Sequence, residues 1–102
     1  MVCVVITAPA SALVVWAWQG ECWILPWSHM LSGRLREEED QETLELSFSA
    51  QRLIARGHNL RQIVNDVAGF RVGCLRQFPP EYRNQFSADA PFIGVLEVHI
   101  EK

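Results

Sequence analysis

Apolar and polar positions along the chain change period several times, and each change marks an element. Glu42–Ser49, ETLELSFS, alternates with period two: Leu44, Leu46 and Phe48 fall on one side, and Thr43, Glu45 and Ser47 on the other. That alternation predicts a half-buried strand. A turn at Ala50-Gln51 returns the chain as a second strand over Arg52–Arg56, ending at Gly57. Upstream, Leu31–Arg36 is a short strand, separated from the next by Glu37–Gln41, a polar run with no apolar period that reads as a solvated turn. Phe92–Glu101 alternates again, with Leu96, Val98 and Ile100 inward and Glu97, His99 and Glu101 outward. Between these strands the period lengthens. From an Asn59 cap, Leu60, Ile63, Val64, Val67, Cys74, Leu75 and Phe78 follow helical spacing, interrupted at Arg71 and stopped by Pro79-Pro80. Glu81–Pro91 reads as a polar loop.

The N-terminal third is different. Val14–Trp27, VVWAWQGECWILPW, holds all four tryptophans. Gln19-Gly20 between two apolar β-type runs predicts a hairpin with a two-residue loop, in which Trp18 faces Glu21, Trp16 faces Trp23 and Val14 faces Leu25. Val14, Trp16, Trp18, Trp23 and Leu25 then share one face, with Trp27 following, while Leu13, Val15, Ala17, Cys22 and Ile24 occupy the other. Pro26, unable to donate to a ladder, ends the second strand or puts it at an edge. Both faces of this ribbon are apolar, which is uncommon in an antiparallel sheet, and one helix covers only one of them. The other packs on the N-terminal segment or on a second chain. The expected architecture is a single α+β domain over residues 1–102: an antiparallel β-meander with one long helix packed on a face and a C-terminal closing strand.

The segments TLELSFSAQRLIARGHNLRQIV, FRVGCLRQF and APFIGVLEVHI, spread over residues 42–100, resemble small uncharacterised bacterial proteins of the kind carried in mobile integron gene cassettes. The resemblance implies a bacterial origin and an unassigned role. It carries over no site residue.

Composition narrows the chemistry. A chain of 102 residues that is 49% apolar and 21% charged is globular, without a linker or repeat. Three widely spaced cysteines, Cys3, Cys22 and Cys74, make neither a disulfide framework nor a metal knuckle and point to a reducing cytoplasm. Residues 1–20 carry no charged side chain, yet a signal peptide lacks its basic start there, and Pro9 with many β-branched residues opposes a membrane-spanning helix. His29, His58 and His99 are too scattered for a metal. No nucleophile–base pair, Gly-rich phosphate loop or cofactor fingerprint is present, so no catalytic residue, metal site or cofactor is assigned and an enzyme ranks last. Between residues 51 and 86, six arginines stand against Asp66 and Glu81, a balance of +4, leaving −7 on the rest of a chain of net charge −3. Such asymmetry suits an anionic partner or the pairing of two copies. An overall acidic balance opposes nucleic acid. The leading expectation is a non-enzymatic homodimer or protein-interaction module with Trp16, Trp18, Trp23 and Trp27 at its interface. The alternative is a small-molecule or anion binder with a pocket between helix and sheet lined by Trp23, Trp27, Phe70 and Arg71.

Overall fold

The alternating segments form strands close to where their pattern predicts them. In the computed structural model, which describes residues 1–101, the strands are β1 (Val4–Ile6), β2 (Ala12–Trp16), β3 (Cys22–Pro26), β4 (Met30–Glu37), β5 (Glu42–Phe48), β6 (Gln51–His58), β7 (Val72–Arg76) and β8 (Phe92–Ile100). They make two four-stranded sheets, the first in the order β1-β7-β2-β3 and the second in the order β4-β5-β6-β8. All pairings are antiparallel except β2 with β7.

The sheets bury one face each in a common core. In the second sheet the inward rows are Leu35, Leu44, Ala55 and Leu96, and beside them Gly33, Leu46, Leu53 and Val98. The first sheet supplies the row Val4, Leu75, Val15 and Trp23 together with the pair Leu13 and Leu25. Leu13, Leu46, Leu53 and Ile93 have no exposed surface at all. Trp27 opens the 3₁₀ turn Trp27–His29 by which the chain passes from the first sheet to the second, and it is buried in the core.

The expected α+β fold with a long helix is overturned: about half of the described residues lie in strands, and in place of a long helix one nine-residue helical segment stands between β6 and β7. A 3₁₀ turn over Leu60–Ile63 runs into α1, Val64–Ala68. The stop is local. Phe70 takes φ 58°, the left-handed region, and two bonds close the helix end, from the Phe70 N–H to the Val67 carbonyl and from the Arg71 N–H to the Asp66 carbonyl. That pair is a Schellman cap with phenylalanine where glycine is usual. The following VGCLR then becomes β7, central in the first sheet, so the helical spacing of Cys74, Leu75 and Phe78 with the residues before them is a coincidence of a strand following a helix. Asn59 does not cap: its side-chain amide donates to the Ala88 and Ala90 carbonyls, and the Glu42 carboxylate accepts the Leu60 and Arg61 N–H groups instead.

The tryptophan hairpin also differs by one residue from its expected register. Ala17 N–H donates to the Glu21 carbonyl, and Gly20, at φ 88°, closes a three-residue loop over Trp18, Gln19 and Gly20. Trp16 therefore faces Cys22, Val15 faces Trp23, and Leu13 faces Leu25. A slip of one residue reverses the faces of one strand relative to the other, so the tryptophans do not share one face.

Candidate interaction surface

The outward face of the first sheet is apolar from edge to edge. Because paired residues point to the same side, the register sets Val5, Cys74, Val14 and Ile24 in one row across all four strands. The next row holds Arg76, Trp16 and Cys22, so the only charge on these two rows lies at one end. Ile24 is 67% exposed and Trp16 39%. Ile6 and Val5 continue the exposed apolar surface on β1. No carboxylate belongs to either row. The second sheet shows the ordinary solution to the same problem: its outward row of Arg34, Glu45, Ile54 and Glu97 is mostly charged, and Arg34 pairs with Glu45 at 3.4 Å. One chain thus builds two sheets of equal strand number, and only one of them has an outer face made for water.

The edge strand β3 is open in a controlled way. In the β2–β3 ladder, Trp27 N–H bonds the Ser11 carbonyl and Ala17 N–H the Glu21 carbonyl, which puts the Cys22, Ile24 and Pro26 backbone groups on the free side. Two N–H groups are available there, and the third position is a proline that has none. Proline on an outward-facing edge position blocks extension of the sheet by another strand. The edge is blunted while the face beside it remains open.

The four tryptophans are placed in four settings. Trp16 lies on the open face. Trp18, 46% exposed, sits on the hairpin loop against Phe78 and Tyr82, with ring centroids at 5.8 and 5.4 Å. Trp23 lies on the inward side at the sheet margin, where its indole N–H donates to the Glu21 carboxylate and its ring borders a cleft with Val15, Ala17 and β8. Trp27 is 2% exposed, stacks on Phe70 at 5.3 Å, and donates to the Val72 carbonyl. Arg71 lies past the helix end, where its guanidinium Nε donates to Asp66 at 3.1 Å. Of the residues expected to line a pocket, Trp27 and Phe70 are therefore in contact with each other, Arg71 is engaged with Asp66, and Trp23 borders another cleft. The cleft that does lie between α1 and the second sheet, about 170 Å³, is lined by Met30, Leu35, Leu44, Leu46, Val64 and Val67.

Sequence reasoning assigned Cys74 to a helix and so missed its part in the open face. Ile24 and Cys22 were on the ribbon's second apolar side, and the available signal was that both sides are apolar. The thiols of Cys3, Cys22 and Cys74 are all free. Cys3 is buried, its sulfur accepts the Ile93 N–H, and burial pushes its thiol pKa above the ordinary 9.0. Among the described residues no group of three or more His, Cys, Asp or Glu side chains is placed to hold a metal ion, and no helix is long and apolar enough to cross a membrane. Comparison with protein-family models, with curated proteins and with solved structures finds no match.

Proposed function

We propose that this protein is a non-enzymatic interaction module whose working form pairs two copies through the outward face of the first sheet. One observation carries the reading: the row Val5, Cys74, Val14 and Ile24 crosses all four strands without a polar side chain. A second copy is the occupant that suits it. The face presents no pattern of charges to select a different partner, and an apolar surface is complementary to itself. Stacking of faces is favoured over joining of edges, because Pro26 interrupts the free side of β3. Arg76 and the hairpin loop form the polar rim such contacts have. Three strands of five residues and β1 of three give a flat footprint of roughly 15 Å on each side, smaller than a standard specific contact, so pairing is of the weak, reversible class. Three free thiols suit a reducing cytoplasm, and the resemblance to cassette-borne proteins suits a bacterial source.

The sulfur of Cys22 offers the test. It is exposed in the single chain and lies in the row that a partner would cover. Alkylation of Cys22, followed by peptide mass spectrometry, is expected to slow as protein concentration rises through the micromolar range, and Ile24→Glu is expected to restore the fast rate at every concentration. A rate independent of concentration in the unmutated chain would refute the pairing. The small apolar cleft beside α1 favours the second reading, a ligand site, less strongly, because its volume of about 170 Å³ is below the usual 300–1,000 Å³ range of small-molecule sites.

A further inference from the structure

The arginine excess between residues 51 and 86 divides on the folded chain into paired and unpaired members. Arg52 lies against Glu101, Arg61 against Glu37 and Arg71 against Asp66. Arg56, Arg76 and Arg83 have no carboxylate within ion-pair distance among the described residues, and of these Arg56 and Arg83 line one cleft of about 260 Å³ together with His58, Gln41, Phe92 and Val95. Their convergence follows from the fold. Arg56 and His58 are alternate residues of β6 and point the same way, beside an irregularity at which Arg56 faces Val95 and Gly57 faces Ile93. Arg83 arrives from the 3₁₀ turn Pro80–Gln85, its guanidinium carbon 5.7 Å above the Phe92 ring. All three basic side chains are half-buried.

Two carboxylates on the adjoining elements are engaged elsewhere, Glu42 by the Leu60 and Arg61 N–H groups and Glu38 by the Thr43 hydroxyl, and Glu81, two residues before Arg83, makes no ion pair with it. Asp40 remains on the adjoining turn, and its charge acts on His58 from a distance. Two half-buried guanidiniums without a counter-ion hold a positive potential in a concave, partly apolar setting, where desolvation makes an incoming anion more effective than on an open surface. Guanidinium forks fit the oxygens of phosphate, and Val95 and Pro80, with the edge of the largely buried Phe92, form an apolar wall beside them.

We infer that the cleft formed by Arg56, His58, Arg83 and Phe92 binds a phosphate monoester that carries a flat apolar group. Two fixed positive charges match the charge of about −2 on a phosphate monoester at neutral pH. Burial and the neighbouring Arg83 hold the His58 pKa below its ordinary 6.5, against the opposite pull of Glu42 and Asp40, so the imidazole is a neutral hydrogen-bonding group there. The site opens on the second sheet, away from the face assigned to pairing, and stands independently of that assignment.

Phenyl phosphate is the probe, titrated at low salt by calorimetry and by amide chemical shifts, with inorganic phosphate, benzoate and benzyl alcohol as comparators. Expected are saturable binding at one site, shifts at Arg56, His58 and Phe92, and affinity about tenfold or more above benzoate and benzyl alcohol, since one charge-assisted hydrogen bond supplies that factor, and about tenfold above inorganic phosphate through burial of the phenyl ring. Arg56→Gln and Arg83→Gln are each expected to weaken phenyl phosphate about tenfold or more with circular dichroism unchanged. The amide shifts of the unmutated chain decide the matter if a variant is poorly folded. Absence of saturable binding at millimolar phenyl phosphate, shifts elsewhere on the chain, or equal binding of benzoate would overturn the inference.

Discussion

Trp16 and Trp27 put the same side chain to opposite uses. Trp27 closes the core where the chain changes sheets, packed on Phe70 and on Phe48 at 6.1 Å; Trp27→Ala is therefore expected to cost about 3–5 kcal/mol, equally at all protein concentrations in denaturant unfolding. Trp16 stands on an open face, and its truncation leaves the core intact. Arg71 interrupts an apparent apolar stripe in the sequence, yet it is 40% exposed and paired with Asp66. Its ion pair is screened by solvent, so Arg71→Met should change stability by less than about 1 kcal/mol, measured by thermal melts at low and high salt. His58 gives a pH signature. Its folded pKa lies below 6.5, first through burial and then through Arg83, so its contribution to stability is present above pH 6.5 and is lost as pH falls through the folded value. The stability of His58→Gln, followed from pH 7 downward, should fall less steeply than that of the parent chain. An equally steep fall would assign the acid loss to other groups.

At the scale of elements, strict alternation was readable and mixed pattern was not. Leu44, Leu46 and Phe48 in β5 point inward as their period of two implies, because a sheet with one charged outer face writes its orientation into every second residue. The first sheet has no such contrast. With Leu13, Val14 and Val15 all apolar, pattern alone leaves the register to the turn, and a left-handed Gly20 in a three-residue loop sets it one position away from the two-residue alternative. Likewise Phe70 ends the helix in a backbone region that seldom accepts a bulky residue, and what favours it is the stacking on Trp27, a contact made between residues distant in sequence. The cleft arginines were visible only as an excess of charge, since the turn carrying Arg83 and the β6 strand carrying Arg56 meet through tertiary structure. Gly57 shows how tightly that meeting is built: a Cβ there would lie 1.8 Å from the Phe92 carbonyl oxygen. Gly57→Ala must shift backbone, and a loss of about 1–3 kcal/mol is expected in chemical denaturation. An unchanged midpoint would mean that β6 and β8 separate easily at this point.

For the whole molecule, the two outer faces set the character of the protein. The second sheet turns charged side chains to water and carries the basic cleft, whereas the first turns valine, isoleucine, cysteine and tryptophan outward, with Val5, Trp16 and Ile24 left exposed. That asymmetry explains why the N-terminal third is rich in tryptophan without a shared tryptophan face: one serves the core, one the sheet margin, one the loop and one the open surface. Were a second copy to bury the open face, as proposed, the folded dimer would become more stable as concentration rises. Sedimentation equilibrium of the unmutated chain beside Ile24→Glu, across the micromolar range, tests this most directly. Expected for the unmutated chain is a reversible shift from one chain mass to two with rising concentration, and for Ile24→Glu a single chain mass throughout with the fold retained. A strict monomer in both, at every concentration, would contradict the pairing of copies through this face.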